Sequence, residues 1–498
     1  MQSLNRRKFL QGTLLGAAAL SLPARSWAQV PGANSDIRVA VIGFNSRGND
    51  HISGMLACRG VRITALCDVD QAVLDKGAAQ LKAKGQQVET FLDVRKLLES
   101  KNVDAITMAT PNHWHALASI WGVQAGKDVY VEKPVSHNVW EGRQIVNAAR
   151  AHNKIVQTGT QSRSSVGLQQ AVQWAKAGNL GKLLWARGTC YKRRASIGKV
   201  AGEQAIPAGI DYDLWCGPAE KLPLHRAKLH YDWHWVWNTG NGDIGNQGIH
   251  QMDVARWFLG EQTLSPKIFS AGGRLGYADD GETPNTMFVV HEYAAAPLIF
   301  EVRGLPAKAD AKNQMDRYRG MSVGTVMQYE NGYISVPDYT SAAAFGPDDR
   351  MIKRWGTFPA PKEGPDPGKP DNSGEGSHFA NFINAVRSRK ASDLTAEILE
   401  GHLSSALCHT GNISYRLGRK ASPGAIREKI SGNKEATETF GRMAEHLAAN
   451  QVDITADQLA LGEFLQMDPS TERFIGNAEA DKLLTRDYRA PFIVPEKV

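Results

Sequence analysis

A lysine and a histidine are the residues of this sequence best suited to acid–base chemistry. Lys133 follows the apolar run Val129–Val131 within the turn Glu132-Lys133-Pro134. His250 is placed by its spacing on the polar face of a predicted helix. Taken alone, a lysine after a strand is typically a solvated surface charge, and a helical histidine is usually structural. In a desolvated cleft, however, a lysine loses proton affinity and can exchange a proton with a histidine.

Strands and helices alternate regularly around Lys133. The predicted strands cover residues 36–42, 61–67, 104–109, 127–131 and 154–157, with helices between most of them. This alternation predicts a parallel sheet with right-handed crossovers. Thr110–His115 and Glu132–Pro134 each follow a strand, so both face the crevice in which open α/β sheets bind their ligands.

A glycine-containing turn and an acid complete the first part of this pattern. Gly43-Phe44-Asn45-Ser46-Arg47-Gly48 joins the first strand to a helix, and Asp68 ends the second strand. Strand, tight turn, helix, strand and acid in this order are typical of a dinucleotide-binding unit. Asn45 replaces the second glycine, but asparagine tolerates positive φ better than most residues. Asp68 would bind a ribose 2′-hydroxyl, which favours NAD, whereas Arg47 would be able to pair with the 2′-phosphate of NADP.

An aromatic stretch and a glycine-rich loop dominate the second half. Residues 230–238 contain one tyrosine and three tryptophans, which would stack on sugar rings or, alternatively, brace a buried loop. The histidines there have no acid or cysteine at a metal-ligand spacing, so no metal site is predicted. The helix that follows the loop presents His250, Asp253 and Trp257 on one arc, and Asn246 would join them if the helix begins early. Asp253 is close enough in sequence to orient the His250 ring.

Three motifs together resemble the Gfo/Idh/MocA family of glucose–fructose oxidoreductase and inositol dehydrogenase. They are Gly43–Gly48, Thr110-Pro111-Asn112-His113-Trp114-His115 and Glu132-Lys133-Pro134. The resemblance covers residues 36–420 and implies an NAD(P)-dependent oxidoreductase that acts on a sugar, polyol or glycoside. It implies an α/β fold with an N-terminal Rossmann domain (36–160). The C-terminal α/β domain (161–420) would then contain a large, mostly antiparallel sheet.

The resemblance also implies roles for individual residues. Lys133 corresponds to the family's catalytic-site lysine, and His250 and Asp253 match its second motif. The acid that assists them in the family's dehydrogenases falls on Asn246, which cannot titrate, so Asp243 is the nearest substitute. The catalytic candidates are therefore Lys133, His250, Asn246 and Asp253. The cofactor-binding candidates are Gly43, Phe44, Asn45, Ser46, Arg47, Gly48, Asp68, Thr110, Pro111, Asn112, His115, Glu132, Lys133 and Gln161. The substrate-binding candidates are Arg163, Trp233, His234, Trp235 and His250.

Three function classes are compatible with these residues. In an oxidoreductase the nicotinamide would take a hydride from a sugar, Lys133 would hydrogen-bond the reacting oxygen, and His250 would move the hydroxyl proton. In a glycoside-cleaving enzyme, transient oxidation would acidify a neighbouring C–H, a glycosidic bond would be eliminated, and the ketone would be reduced again. Asn246 and the aromatic stretch favour this alternative. A non-catalytic NAD-binding protein is disfavoured by the presence of both Lys133 and His250.

The first 28 residues predict export. Asn5-Arg6-Arg7-Lys8-Phe9-Leu10 resembles the twin-arginine consensus, and an apolar run to Leu22 follows. Ser26-Trp27-Ala28 offers a cleavage site after Ala28. The run is too short for a stable membrane span, and a frayed amphipathic N-terminus is the alternative. We expect a periplasmic or otherwise extracytoplasmic protein that is exported folded, with its cofactor loaded.

Composition and cysteine spacing exclude further classes. The net charge is +7, but residues 1–28 contain four basic residues and no acid, so the rest of the chain carries +3. This charge is small and forms no basic run, so the sequence does not predict nucleic-acid binding. Five widely spaced cysteines without a CxxC pair indicate neither a disulfide framework nor a zinc site. Residues 421–498 are predicted to be a C-terminal extension wrapping the core. We also expect a homo-oligomer formed through the C-terminal sheet.

Overall fold

The computed structural model describes residues 36–360, 377–455 and 459–498. The predicted export signal, residues 1–28, lies outside the described residues. Within the described ranges, no helix is both long and apolar enough to cross a membrane. All five cysteines are buried and free.

The first domain is a six-stranded parallel sheet with helices on both faces. Its strands are β1 (Ile37–Ile42), β2 (Val61–Cys67), β3 (Glu89–Phe91), β4 (Ala105–Met108), β5 (Asp128–Val131) and β6 (Val156–Thr158). The helices are α1 (Gly48–Leu56), α2 (Gln71–Ala83), α3 (Val94–Leu98), α4 (Asn112–Gln124) and α5 (Val139–Ala151). The strand order is β3-β2-β1-β4-β5-β6, so the direction of winding reverses between β1 and β4. Ligands of doubly wound sheets bind at this switch point.

The sequence of β1 explains why helices cover both faces. Successive strand residues point to opposite faces, and here all but Arg38 are apolar. Val39 and Val41 pack into one hydrophobic cluster, whereas Ala40 and Ile42 pack into another on the opposite face. The carboxyl end of β1 is therefore held rigidly at the switch point.

The second domain is built on a twelve-stranded, mostly antiparallel sheet. Its strands are β7 (Leu183–Tyr191), β8 (Lys267–Gly273), β9 (Thr286–Glu292), β10 (Pro297–Arg303), β11 (Val323–Tyr329), β12 (Gly332–Val336), β13 (Ala342–Phe345), β14 (Met351–Trp355), β15 (Arg419–Ala421), β16 (Leu459–Leu461), β17 (Leu465–Asp468) and β18 (Arg473–Phe474). The main order is β14-β13-β12-β11-β7-β10-β9-β8-β16-β15, with β17 pairing with β8 and β18. Only the β7–β10 pair is parallel among the strand pairs described for this sheet. The predicted fold class is confirmed.

Three helices cover the inner face of this sheet: α6 (Val166–Lys176), α8 (Ile249–Leu259) and α10 (Ile398–Leu417). Two others lie against the first domain: α7 (Tyr212–Cys216) packs beside Val69, and α9 (His378–Ser388) packs into the same cluster as Val39 and Val41. A five-residue π turn, Ile244–Gly248, leads directly into α8. Ile249, Met252 and Ala255 of α8 are buried in the core, as the apolar spacing predicts. This packing fixes α8 against β7 and α10.

Two helices after residue 421 cover the outer face of the sheet: α11 (Pro423–Ile430) and α12 (Lys434–Ala449). The same segment also forms β16–β18, which pair with the sheet, and α13 (Ala478–Lys482), whose Ala480 packs into the inner core. Phe288 and Ile299 of the sheet pack against Phe440 and Met443 of α12. The chain's own helices thus cover β8–β10 on that face, and a homo-oligomer formed through the C-terminal sheet stays a prediction.

The end of the chain returns to the first domain. Phe492 packs edge-on against Trp114, with ring centroids 5.6 Å apart. Tyr488 donates a hydrogen bond to Glu141 over 3.0 Å. Residues 484–498 thus leave the second domain and contact the first. The domain boundaries themselves stay predictions.

Candidate active site

A cavity of about 420 Å³ lies where the two domains meet at the carboxyl ends of β1, β2, β4 and β5. Both domains contribute to its lining. Residues of the first domain are Gly43–Arg47, Asp68, Ala109–Asn112, His115, Glu132 and Lys133, and residues of the second are Leu214, Trp215, His230, Tyr231, Trp233, His234 and Asn246. Most of the predicted cofactor-binding residues therefore surround one space.

The glycine turn is shaped by close backbone approaches. Gly43 has φ +71°, and a Cβ there would lie 2.8 Å from the Cγ2 atom of Thr110. A Cβ on Gly48 would lie 2.2 Å from the carbonyl oxygen of Gly43. Asn45, in contrast, is exposed and does not adopt a positive φ. The replacement of the second glycine is therefore tolerated without any special backbone conformation.

Asp68 is fixed at the end of β2 by two backbone donors. The Phe44 N–H donates to Oδ2 over 3.0 Å, and the Asp70 N–H donates to Oδ1 over 3.1 Å. Burial raises the pKa of Asp68 above its ordinary value, although these hydrogen bonds oppose the change. Nearby, the Thr110 hydroxyl is buried and has no hydrogen-bond partner among the described residues. An anchored carboxylate and an unsatisfied hydroxyl beside a glycine turn fit the polar edge of a dinucleotide.

Glu132 links the lysine turn to the glycine turn. Its Oε1 atom accepts from Arg47 Nε over 2.8 Å and lies 3.1 Å from His51 Nε2. Burial opposes ionisation, but His51 and Arg47 hold the pKa of Glu132 well below its usual range. Arg47 also pairs with Asp50 over 3.0 Å. Its guanidinium is thus already bound to carboxylates, which weakens the alternative that it selects NADP.

Two side chains tie the strand ends and the domains together. His115 lies with its ring nitrogens 2.6 Å from the Pro134 carbonyl and 2.8 Å from the Thr110 carbonyl. Asn112 donates to the side chain of Asn241, in the second domain, over 2.9 Å. These contacts hold the two loops in a fixed relation on the cavity floor.

Lys133 reaches from the first domain to the second. Its Nζ donates to the main-chain oxygen of Asn246 over 2.7 Å. Asn246 belongs to the π turn before α8, and such turns are frequent at functional sites. Burial lowers the pKa of Lys133, which favours loss of its proton. The structure therefore brings two of the predicted catalytic residues together in one cavity.

His250 lies one helical turn beyond Asn246 on α8. Its ring is 5% exposed, contacts Tyr339 edge-on at 4.9 Å, and has a buried Nδ1 without a partner among the described residues. Burial and the charge of Lys133 hold the pKa of His250 well below its ordinary value. His250 is not among the residues that line the cavity. Its convergence with Lys133 on the substrate stays a prediction.

The acids near His250 are bound to arginines instead. Asp253 accepts from Arg163 Nε over 2.9 Å and from Ser404 Oγ over 2.6 Å, so the prediction that it orients His250 is wrong. Asp243 forms two hydrogen bonds with Arg194, of 2.7 and 2.6 Å, and is therefore not a free substitute for the missing acid.

The structure separates the predicted substrate-binding residues into two groups. Trp233 and His234 line the cavity and stack on each other at 3.6 Å. Trp235 is buried with the guanidinium carbon of Arg194 5.2 Å from its ring centroid, so its predicted substrate contact is wrong. Arg163 is likewise corrected: it is 5% exposed and pairs with Asp253 and Glu400.

Two predicted cofactor-binding residues, Gly48 and Gln161, are outside the cavity, and residues that line it were missed. Gln161 does not line it, and its buried amide oxygen has no partner among the described residues, so its cofactor contact stays a prediction. Leu214 and Trp215 line it but are not among the candidates named from the sequence. Their short helix α7 begins at Tyr212, and its N-cap Asp211 accepts from the Leu214 N–H over 3.0 Å. An aspartate at this position is a helix N-cap signal that would have revealed the helix.

Comparisons with known proteins agree with the two-domain arrangement. Residues 37–160 match the GFO_IDH_MocA model, described as an oxidoreductase family with an NAD-binding Rossmann fold. Residues 184–279 match GFO_IDH_MocA_C2, described as the C-terminal alpha/beta domain of an oxidoreductase family. Both matches support the predicted family, and the first supports the predicted NAD cofactor. In the described part of the chain, no group of three or more His, Cys, Asp or Glu is arranged to hold a metal ion.

Curated relatives match a shorter part of the chain. A glycosyl hydrolase family 109 protein from Shewanella baltica (strain OS185) is 30% identical over 177 residues, covering 31% of this chain and 39% of the relative. An alpha-N-acetylgalactosaminidase from Shewanella oneidensis is 29% identical over 177 residues, with the same coverage of 31% and 39%. The chain thus matches about two fifths of the length of these relatives.

Solved structures share the fold over most of the chain. The WlbA dehydrogenase from Bordetella pertussis, in complex with NADH and UDP-GlcNAcA, has a TM-score of 0.54 at 19% identity and covers 75% of this chain and 93% of its own. A levoglucosan dehydrogenase in complex with NADH and levoglucosan has a TM-score of 0.53 at 16% identity and covers 75% and 95%. At these identities the similarity concerns the fold.

Proposed function

We propose that this chain, whose two domains match those of the Gfo/Idh/MocA oxidoreductases, is an NAD-dependent enzyme acting on a sugar, polyol or glycoside. One observation supports this proposal above all. Lys133 projects from the carboxyl end of a parallel strand into the cavity lined by the glycine turn, and its Nζ donates to the opposite domain over 2.7 Å. A half-buried lysine at this position is within reach of a ligand held between the domains.

The residues that would hold NAD surround the same cavity. The Gly43 turn would take the pyrophosphate, Asp68 the adenosine ribose, and Thr110 a further polar group of the dinucleotide. The carboxylate of Asp68 would repel a 2′-phosphate, so NAD is preferred over NADP. When bound, NAD supplies hydride acceptance and return.

The protein's own contribution is proton transfer and orientation. Because burial lowers the pKa of Lys133, its neutral form is more populated than that of an exposed lysine. A neutral Lys133 can accept a hydroxyl proton, and its ammonium form can hydrogen-bond the resulting oxygen. His250, which is held neutral, is a second proton acceptor close to Asn246. Trp233 and His234 would orient the sugar ring from the opposite wall.

A second candidate function is glycoside cleavage by transient oxidation. It is favoured by the lack of a titratable group at Asn246 and by the pairing of Asp243 and Asp253 with arginines. In such a cycle elimination breaks the glycosidic bond and the departing alkoxide takes up a proton. Water then adds across the resulting C=C bond, which restores the proton to carbon, and the ketone is reduced. The names of the curated relatives, a glycosyl hydrolase family 109 protein and an alpha-N-acetylgalactosaminidase, agree with this candidate.

One experiment tests both candidates. Purified protein is denatured, the released nucleotide is assayed, and the native protein is then offered free sugars and p-nitrophenyl glycosides with and without added NAD. A dehydrogenase produces NADH in proportion to the sugar and requires added NAD for many turnovers. A self-contained cycle releases p-nitrophenol repeatedly with bound nucleotide alone. Failure to bind either nucleotide would refute both candidates.

We also propose that the protein works outside the cytoplasm. The support is the pair Arg6 and Arg7 before an apolar run with small residues at its end. Export of a folded chain suits a protein that must acquire its nucleotide before it crosses the membrane.

A further inference from the structure

One wall of the cavity of Lys133 is built from three separate segments. Val94 of α3, Trp114 of α4 and Leu214 of α7 all line this cavity and pack in one hydrophobic cluster. The helix α7 comes from the second domain, whereas α3 and α4 belong to the first. Because α3 follows β3, the strand next to β2, this wall lies on the side of Asp68, where the adenosine half of NAD would bind. The shape of the wall depends on what holds the three segments together.

Phe492 supports this wall without lining the cavity. It is 1% exposed and belongs to the same hydrophobic cluster. Its ring centroid lies 5.6 Å from that of Trp114, with the two rings edge to face. The guanidinium carbon of Arg95, which follows Val94 in α3, lies 5.0 Å from the Phe492 ring centroid. A side chain of residues 484–498, the segment that returns from the second domain, therefore joins α3 to α4.

Arg489 connects α7 to the same support. Its Nη1 donates to Asp213 Oδ1 over 2.8 Å, and its Nη2 donates to the carbonyl oxygens of Asp213 and Gly217 over 2.8 and 3.1 Å. These acceptors lie on both sides of Leu214, which lines the cavity. The guanidinium carbon of Arg489 also lies 4.9 Å from the Phe492 ring centroid. Two residues of the returning segment thus link all three parts of the wall.

We propose that Arg489 and Phe492 are positioning residues for nucleotide binding. They hold Val94, Trp114 and Leu214 in the arrangement that encloses the adenosine half of the dinucleotide. Neither residue lines the cavity, so both act on nucleotide affinity through the wall and not on the reacting atoms. The inference rests on the proposed function, because it requires a dinucleotide in this cavity. It gives the returning segment a role in retaining the cofactor.

The test measures release of the nucleotide, so it does not depend on turnover. Protein loaded with NADH is mixed with excess ADP-ribose, and the loss of the fluorescence of bound NADH gives the dissociation rate. Arg489→Met removes three hydrogen bonds to α7 and should speed NADH release about tenfold, the scale of one hydrogen bond to a charged group. ADP-ribose contains the adenosine half without the nicotinamide, so its own affinity should fall by a similar factor. All rates are measured well below the Tm of each variant, where a loss of global stability alone leaves them unchanged.

Three further variants make the result specific. Arg38→Met is the matched control, because the Arg38 side chain also donates two hydrogen bonds to a carboxylate, that of Asp104, over 2.9 and 2.6 Å. This pair lies at the amino end of β4, away from the cavity, so Arg38→Met should release NADH at the wild-type rate. Arg489→Lys keeps the charge and should give an intermediate rate. Phe492→Leu keeps an apolar side chain but loses the ring contact with Trp114, so it should also release NADH faster.

Two results would overturn the inference. One is release at the wild-type rate by folded Arg489→Met, and the other is equally fast release by Arg38→Met. If Arg489→Met does not fold, Phe492→Leu and Arg489→Lys decide by the same criterion. In these cases the proposed function stands, because NADH still binds. Failure of the wild type to bind NADH would instead refute the proposed function together with this inference.

Discussion

Replacing Lys133 with methionine tests the central chemical assignment. Methionine has a similar unbranched length but lacks the charge and the donor that now reaches the Asn246 carbonyl over 2.7 Å. Loss of a general acid–base group lowers turnover by about 10²–10⁴-fold. At about 1.36 kcal/mol per decade, this corresponds to roughly 2.7–5.4 kcal/mol of lost transition-state stabilisation. Nucleotide binding should persist, because the glycine turn and Asp68 do not depend on the ammonium group.

The assay compares NADH affinity, followed by fluorescence quenching, with turnover of the best substrate found in the sugar panel. Lys192→Met is the matched control, because Lys192 is exposed and lies outside the cavity although its charge influences Lys133. Lys133→Arg separates charge from proton transfer, since an arginine keeps its proton. We expect Lys133→Arg to be nearly as inactive as Lys133→Met. Normal turnover of Lys133→Met with intact NADH binding would falsify the assignment.

The same variant has a spectroscopic consequence. Burial is the main cause of the low pKa of His250, and the positive charge of Lys133 is the next. In Lys133→Met the pKa of His250 should therefore rise but stay below about 6.5, the ordinary value, because the ring remains buried. The shift is measured by following the His250 ring protons in an NMR titration. An unchanged pKa would mean that the two side chains do not influence each other, and the proton relay between them would have to be abandoned.

Three further outcomes are expected. Asp68→Ala should weaken NAD binding and relax the rejection of NADP, as measured by the two dissociation constants; tighter binding of NADP than NAD by the wild type would contradict the role of Asp68. Replacing both Arg6 and Arg7 with lysine should leave uncleaved precursor in the cytoplasm, as judged by cell fractionation, and unchanged export would point to another pathway. Glu132 has a lowered pKa in the folded state, so the stability it contributes is present above about 4.3, the ordinary carboxyl value, and is lost as the pH falls further through the lowered value. Glu132→Gln should therefore flatten the acid side of the Tm–pH curve while lowering Tm at neutral pH; an unaltered acid slope would argue against an ionised Glu132.

The sequence predicted the first domain well because its signals are local. Strand ends, the glycine turn and the Glu132–Pro134 turn are each readable within a few residues, and sheet topology then brings them to one edge. The cavity accordingly contains nearly all of the predicted cofactor residues. The apolar spacing of α8 identified its packing face for the same reason.

The errors arose where residues distant in sequence decide a side chain's partner. Helical spacing placed Asp253 beside His250, but it could not reveal that Arg163 and Ser404 meet the carboxylate from two other segments. The aromatic stretch had the same difficulty, since Trp235 points to Arg194 while Trp233 faces the cavity. Likewise, nothing local in the sequence shows that α12 returns to cover the outer face of the sheet.

The distribution of charge around the site bears on the choice between the two candidate reactions. Each carboxylate near α8 already neutralises an arginine, so Lys133 and His250 are left as the groups able to exchange a proton with the substrate. Burial holds both pKa values down, so neither group retains an additional proton readily. A simple dehydrogenation leaves one proton behind in every turnover and therefore needs an exit route to solvent. Oxidation, elimination, water addition and reduction instead pass the removed protons to the departing alkoxide and back to the sugar. That cycle has no net proton to export, which agrees with glycoside cleavage at a site where Asp243 and Asp253 are paired with arginines.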